Sequence, residues 1–328
     1  MTDSLVHRSA QMGTIVTIEI VGGDASAAER GRRDAAVERA LSWFGAVTES
    51  CSRFEPTSEL VALSSRIGET VPVSALLFEA LRFALLVARE SGGAYDPTIG
   101  ASMEARGFDR EFRSGRAVRA GAGVAAGASY LDVTLDERAR TVMLGRPLVL
   151  DLGAVAKGLA VDLAARELRP FGGFAIDAGG DVYVGGCAAN GRPWTIGIRH
   201  PRRDGGLLET VAVSNAAVCT SGDYERVSPL PGVGHHIFDP RATASVGASS
   251  GAPSGAVASV TVIAPTAMVA DALSTAAFVL GPEQGIAFLE RNAVDGIIVT
   301  ESLERFATAG IRDEYIFEPP CAVGPDER

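Results

Sequence analysis

Strand candidates in this chain come in runs instead of alternating one for one with helices, and that pattern narrows its folds more than any other feature. The β-branched stretch Thr14 to Val21, closed by Gly22-Gly23, predicts a first strand. Helical spacing follows over about Ala25 to Thr48, with Ala36, Val37, Ala40, Leu41 and Phe44 three and four residues apart. A second helix is predicted over about Ser74 to Arg89, stopping before Ser91-Gly92-Gly93. From Tyr130 the texture changes to short strands, expected at 131–135, 141–144 and 148–150, then at 175–176, 182–184, 194–198, 209–213 and 217–219. One helix, over about Val155 to Leu168, interrupts them. A strand at 260–263, helices over about 268–280 and 283–291, and a strand at 296–300 close the pattern. A doubly wound sheet needs regular βαβ alternation, so the expectation is an α+β fold with mixed or antiparallel sheets and packed helices.

Composition limits the function classes. With 328 residues the chain is long enough for two ordinary domains or one elaborate one, and 47% hydrophobic content supports a packed core. The net charge of −10 argues against a general nucleic-acid binder or a polybasic membrane-surface protein. No segment approaches the ~18 consecutive apolar residues of a membrane span. The first residues contain neither an apolar signal core nor a lipid-attachment cysteine, so with Met1 as the natural start the chain is expected in the cytoplasm. Cys51, Cys187, Cys219 and Cys321 are widely spaced, which predicts small buried thiols in a reducing compartment. The charged stretch Glu104 to Arg119 reads as surface, and residues 242–259, mostly Ala, Ser, Gly and Val, read as a mobile low-complexity loop.

Five segments carry candidate chemistry. In Val149-Leu-Asp-Leu-Gly-Ala-Val-Ala-Lys-Gly158 a short strand runs through Gly153 into a helix whose free N–H groups suit a phosphate. A cation at Lys157 is unfavourable near a helix start unless an anion binds there; otherwise Lys157 reaches solvent and Asp162 pairs with Arg166 on the surface. Ala178-Gly-Gly-Asp181 admits close approach of a ligand to backbone, but on local grounds it is a tight hairpin turn. Thr220-Ser-Gly-Asp-Tyr224 offers hydroxyls, a glycine and an aromatic ring at a strand end. His235-His-Ile-Phe-Asp239 sets histidines beside a carboxylate, either for general-base work or as hydrogen-bonded loop residues. Finally, Thr266 predicts an N-cap, and Asp271 and Thr275 stand i,i+4 in an otherwise apolar helix. Two oxygen ligands on one face would suit a hard cation such as Mg2+; a dipole-favoured Asp and a back-bonding Thr is the alternative.

Taken in order, these segments, together with Met12-Gly-Thr14, Ser52-Arg-Phe54, Ser58-Glu-Leu60, Gly93-Ala-Tyr-Asp-Pro-Thr98 and His236-Ile-Phe-Asp-Pro240, resemble the FAD:protein FMN transferases, the ApbE-like flavin transferase family. The resemblance runs from Met12 to about Gly281 and implies one such domain over 1–328, with subdomains at about 1–128 and 129–328 and the FAD site in a cleft between sheet and helices. It implies a Mg2+-dependent enzyme that moves FMN from FAD to a Thr or Ser hydroxyl of an acceptor flavoprotein, with AMP leaving. By the same resemblance Asp271 and Thr275 bind Mg2+ through side chains and Ala154 through its carbonyl. Met12, Phe54, Ala94, Tyr95, Asp96, Asp151, Lys157 and Ile237 match positions lining the FAD pocket, with Ser221, Gly222 and Tyr224 added from the strand-end loop. His236 matches the catalytic histidine, with Asp239 as its orienter. An FAD pyrophosphatase using water as acceptor and a non-catalytic FAD-storage protein are the competing readings. The chain departs from the family pattern in having Ala242-Thr243 where Thr-Gly usually follows Asp-Pro-Arg, and Met268 where some relatives have a further carboxylate.

Overall fold

Val16, Ile18 and Ile20 have no exposed surface while Ile15, Thr17 and Glu19 between them do, so β2 (Thr14–Val21) presents one face inward with a period of two. The computed structural model describes residues 4–22, 26–110, 115–118, 123–243, 257–311 and 316–317. Before β2 comes β1 (Ser4–Gln11), which the sequence reading missed because its apolar and polar residues do not alternate cleanly. The two strands pair antiparallel through Met12-Gly13, whose φ angles of 45° and 78° suit a two-residue turn of the primed kind.

Four helices and three strands follow before the next large element. These are α1 (Ala27–Cys51), α2 (Glu59–Ser64), β3 (Thr70–Pro72), α3 (Ala75–Glu90), α4 (Gly100–Ala105), β4 (Val133–Asp136) and β5 (Thr141–Leu144). Ser26, Ser58 and Ser74 cap α1, α2 and α3, each hydroxyl accepting the N–H three residues on. Next are α5 (Gly153–Leu168), β6 (Gly173–Ala178), β7 (Asp181–Gly186), β8 (Trp194–Arg199), β9 (Leu207–Val213), β10 (Ala216–Gly222) and the single turn α6 (Pro240–Thr243). The chain continues with β11 (Val257–Ala264), α7 (Ala267–Leu280), α8 (Pro282–Arg291), β12 (Asp295–Thr300), β13 (Arg305–Ala307) and β14 (Ile316–Phe317).

The main sheet has eight strands in the order β1-β2-β6-β7-β10-β11-β12-β13, every neighbouring pair antiparallel. The helices cover one face, where Phe44 of α1, Leu81 of α3, Leu159 of α5, Phe278 of α7 and Phe288 of α8 join the core. The other face meets the small sheet β14-β9-β8, with Trp194, Ile198 and Val211 packed on Val184, Val218, Ile263 and Val299. Covered on both sides, β11 is buried at all eight positions, which is why it reads as one apolar run instead of an alternating strand. The fold is therefore α+β with packed helices and antiparallel sheets, apart from the parallel pairing of β14 with β9.

The structure corrects several expectations. Residues 148–150 form no strand; Val149 makes only an isolated bridge to Ile99. The strand expected from Leu131 begins at Val133, after a capped turn of 3-10 helix at Tyr130–Asp132. Of the loop expected over 242–259, α6 takes the first residues and β11 the last; residues 244–256 lie outside the described residues. Glu104 to Arg119 is not simply surface, because Asp109 is buried and the Phe108 carbonyl is bound by Arg53. Cys51 and Cys219 are buried thiols as expected, whereas Cys187, half-buried just past β7, is disulfide-bonded. Spacing along the chain does not limit which cysteines meet in space, so the expectation of four reduced thiols fails at Cys187; Cys321 lies outside the described residues. Among the described residues no helix is long and apolar enough to cross a membrane.

Candidate active site

Several functional segments are gathered at one end of the main sheet by its register. The β1–β2 turn at Met12-Gly13 and the β6–β7 turn at Gly179-Gly180 adjoin, because Val16 pairs with Ala178. Both glycines of the second turn have positive φ, 70° and 97°, and a Cβ on Gly179 would lie 2.3 Å from the Thr14 hydroxyl. The turn therefore needs glycine, as the local reading expected. Asp181 pairs with Cys219, so the end of β10 carrying Ser221 and Gly222 reaches the same edge.

The start of α5 is fixed to this end by Asp151. Its Oδ1 accepts the Gly153 N–H at 2.8 Å and its Oδ2 accepts Arg53 Nε at 2.6 Å, while its own N–H donates to the Pro97 carbonyl. Burial pushes the Asp151 carboxyl up, but the Arg53 charge and the Gly153 amide outweigh it and hold the group below the usual carboxylate range. Arg53 is itself buried, with its guanidinium 4.0 Å from the Phe54 ring centroid, a second nitrogen on the Phe108 carbonyl and Glu104 at 3.8 Å. Sequence reading quoted Arg53 within a motif and gave it no role. Its neighbours, Ser50-Cys-Ser52 and Phe54-Glu-Pro56, read as an ordinary polar turn, so its burial is set by tertiary packing without a local signal.

Lys157 lies in the second turn of α5 and donates to the Asp181 carboxylate, which is only 3% exposed. The anion required near this helix start is thus supplied by the chain itself, and the solvent-facing alternative is set aside. The surface pairing of Asp162 with Arg166 also gives way. Asp162 instead accepts the N–H groups of Ala267 and Met268 at 2.7 and 3.0 Å.

On α7, Thr266 caps the helix as expected, accepting the Val269 N–H at 3.4 Å. Asp271 is 6% exposed and its Oδ2 has no hydrogen-bond partner. Burial pushes this carboxyl up, opposed by the positive fields of Lys157 and Arg226. One turn on, Thr275 Oγ1 lies 3.2 Å from Ser221 Oγ, which also meets Ser274 Oγ at 2.7 Å. Thr275 and Ser221 thus bring hydroxyl oxygens together between α7 and β10, one helical turn from the Asp271 carboxylate. Among the described residues no three His, Cys, Asp or Glu side chains converge, so a cation here would rely on hydroxyl and main-chain oxygens beside the single carboxylate. The unpartnered Asp271 oxygen fits that requirement, and Ala154 is the second residue of α5.

His236 is held by its N–H on the Arg226 carbonyl at 3.1 Å, its ring edge-on to Phe108 at 6.2 Å. Nδ1 is buried without a partner. Burial, then the charge of Arg226, push the imidazole down to about 3, so it is neutral at ordinary pH. Tyr95 is also buried with an unpartnered hydroxyl, its pKa raised by burial and then by Asp151, Asp271 and Asp96. These mutual fields put Tyr95, Asp151, Lys157, Arg226, His236 and Asp271 in one neighbourhood. Arg226 is the member that sequence reading left out.

The ApbE family profile matches residues 12–298. A protein of Treponema pallidum named FAD:protein FMN transferase is 34% identical over 290 residues, covering 78% of this chain and 74% of its own. One of the same name from Escherichia coli K12 is 26% identical over 322 residues, covering 94% and 87%. The crystal structure of the ApbE protein from Thermotoga maritima superposes with a TM-score of 0.78 at 28% identity, covering 94% of this chain and 97% of that one. The chain belongs to the ApbE family.

Within this ApbE chain the remaining expected residues fall in different settings. Asp239 does not orient His236: both its oxygens are bonded by Arg241, each at 2.8 Å, because Arg241 is two residues away and within bidentate reach. Asp96 is buried and committed to the loop, accepting from Thr98 N–H and hydroxyl and from Tyr130 N–H. Ala94 and Ile237 are buried in the apolar core, and Met12 packs partly against it. Tyr224 lies over Gly222, with the Arg199 guanidinium 5.7 Å from its ring; burial, then the Glu225 charge, push its hydroxyl up to about 12. Neighbouring Asp223 is clamped by Arg202 at 2.8 and 2.6 Å, so the β8–β9 hairpin braces the strand-end loop.

Proposed function

We propose that this ApbE-family enzyme transfers FMN from FAD to a Thr or Ser hydroxyl of an acceptor flavoprotein, as a phosphoester, and releases AMP. The observation that carries this reading is the buried, unpartnered Asp271 oxygen in one electrostatic neighbourhood with Lys157 and a neutral His236. The names of the relatives support the transferase class.

The chemistry requires the acceptor oxygen to attack the phosphorus of the FMN half. One O–P bond forms, the bond from that phosphorus to the bridging oxygen breaks, and its electron pair leaves with AMP. The hydroxyl proton passes to His236, whose Nδ1 has no competing partner. Lys157, carried by Asp181, would neutralise pyrophosphate charge. Asp271, Thr275 and the Ala154 carbonyl would hold Mg2+, which when bound supplies further charge neutralisation on the pyrophosphate. Met12, Phe54, Tyr95 and Tyr224 would frame the FAD in the cleft between sheet and helices. The chain works as one domain in this reading, since the main sheet draws strands from residue 4 to residue 307.

The test is to incubate the protein with FAD, Mg2+ and a candidate acceptor, then follow acceptor mass and AMP. An acceptor heavier by FMN less water supports transfer. Free FMN with AMP and unmodified acceptor would make the chain a pyrophosphatase, and undiminished FAD would make it a storage protein.

A further inference from the structure

The two halves of the proposed site sit on α5 and α7, whose buried side chains share one core. Two further features help fix how one helix lies along the other. A Cβ on Gly158 would lie 2.5 Å from the Met268 Cα, so glycine lets the helices touch backbone to backbone. One turn along α5, Asp162 spans the contact and accepts two of the free N–H groups at the α7 start, Ala267 at 2.7 Å and Met268 at 3.0 Å. We infer that Asp162 is a positioning residue for catalysis, setting the height of Asp271 and Thr275 on α7 against Ala154 and Lys157 on α5. This inference rests on the reading of α7 as the cation-bearing helix.

The charge state of Asp162 decides the strength of this clamp. Ionised, both its oxygens accept; protonated, one becomes a donor facing an N–H group and that bond is lost. Burial pushes the carboxyl up to about 6 despite the Met268 and Ala267 amides and the positive fields of Arg166 and Arg169. On the strands packed beneath, the titratable groups that feel Asp162 are Tyr183 of β7 and Cys219 of β10, both pushed up by burial and uncharged across this range. Asp162 holds backbone amides at the α7 start, so its influence on Asp271 runs through the helix backbone.

Asparagine imitates the protonated state, with one acceptor and one donor, which makes Asp162→Asn the informative variant. The measurement is Mn2+ affinity of the whole protein by electron paramagnetic resonance, for wild type and variant, from about pH 5 to about pH 7.5. The expected result is about tenfold weaker binding by the variant at the upper end, the low end of what outer-shell changes cost. That ratio should shrink to about one at the lower end, where wild-type Asp162 is itself protonated. Protonation of Asp271 weakens both proteins and cancels in the ratio. A ratio that stays constant with pH means a general loss of structure, and a ratio of one throughout means no role; either overturns the inference. If the wild type binds no Mn2+ at any pH, the reading of α7 fails and takes this inference with it. Wild-type hydrogen exchange supplies a second arm that needs no variant. Protection of the Ala267 and Met268 amides should fall between about pH 7 and about pH 5 relative to Val269, which donates to Thr266 instead. Unchanged protection overturns the clamp.

Discussion

Lys157 and Asp181 form an ion pair that joins the second turn of α5 to the first residue of β7. The pair puts a cation beside Asp271 and His236 while leaving a carboxylate almost without solvent behind it. Lys157→Met should lower FMN transfer about 10²–10³-fold. It should also cost about 3–5 kcal/mol of stability, because Asp181 is left buried and unpaired. Asp181→Asn needs no counter-charge and should melt closer to wild type. Equal melting losses in the two variants, measured by calorimetry, would show that the pair is not what the fold depends on here.

His236 gives a stability signature of its own. The unfolded chain takes up a proton near 6.5, while burial and Arg226 keep the folded imidazole neutral down to about 3. The stabilisation is therefore full above 6.5 and is lost as pH falls from there towards 3. His236→Gln cannot titrate, so its urea-unfolding free energy should fall less on acidification, by about 2–3 kcal/mol at about pH 4.5. Its FMN transfer should drop about 10²–10⁴-fold at neutral pH. Parallel acid profiles for the two proteins would place the His236 ring in a wetter setting than the one described.

Much of this site was legible before any geometry, and the misses have physical causes. Periodicity located α7, and the i,i+4 spacing of Asp271 and Thr275 alone put both oxygens on one helix face. Sequence could not show that Asp162 would leave Arg166 for amides 105 positions away, because a cap supplied from another helix has no local signature. It paired Asp239 with His236 on proximity along the chain, and an arginine equally close took the carboxylate instead. β1 lacks the alternation that marks a strand, and at residues 148–150 an extended apolar segment looks the same whether or not a ladder forms beside it.

Arg53 is the buried cation that lets Asp151 stay ionised at the start of α5. Arg53→Met should cost about 3–5 kcal/mol, leaving Asp151 without its charge partner. Arg53→Lys should recover only part of that loss, since a single ammonium cannot reach Asp151 and the Phe108 carbonyl in the same fork. Calorimetric melting temperatures in the order wild type, Lys, Met are expected, and a lysine variant as stable as wild type would count against the fork.

Asp271 sets stability against function. Its carboxyl is buried, one oxygen has no partner, and burial pushes its pKa up, so the ionised group burdens the metal-free fold. Asp271→Asn removes that burden and should stabilise the metal-free protein by about 1–2 kcal/mol while abolishing FMN transfer. The wild type should lose transfer on chelation with EDTA and regain it with added Mg2+. Its melting temperature should rise with Mg2+ concentration, and that of the variant should not. Since the chain carries a net charge of −10, it cannot hold an anionic substrate by its overall field and must neutralise it locally. Added salt should therefore weaken turnover by no more than about threefold, because partly buried charges are screened little. Loss of turnover in moderate salt, with EDTA having no effect, would move the source of neutralisation away from Asp271 to exposed arginines such as Arg226.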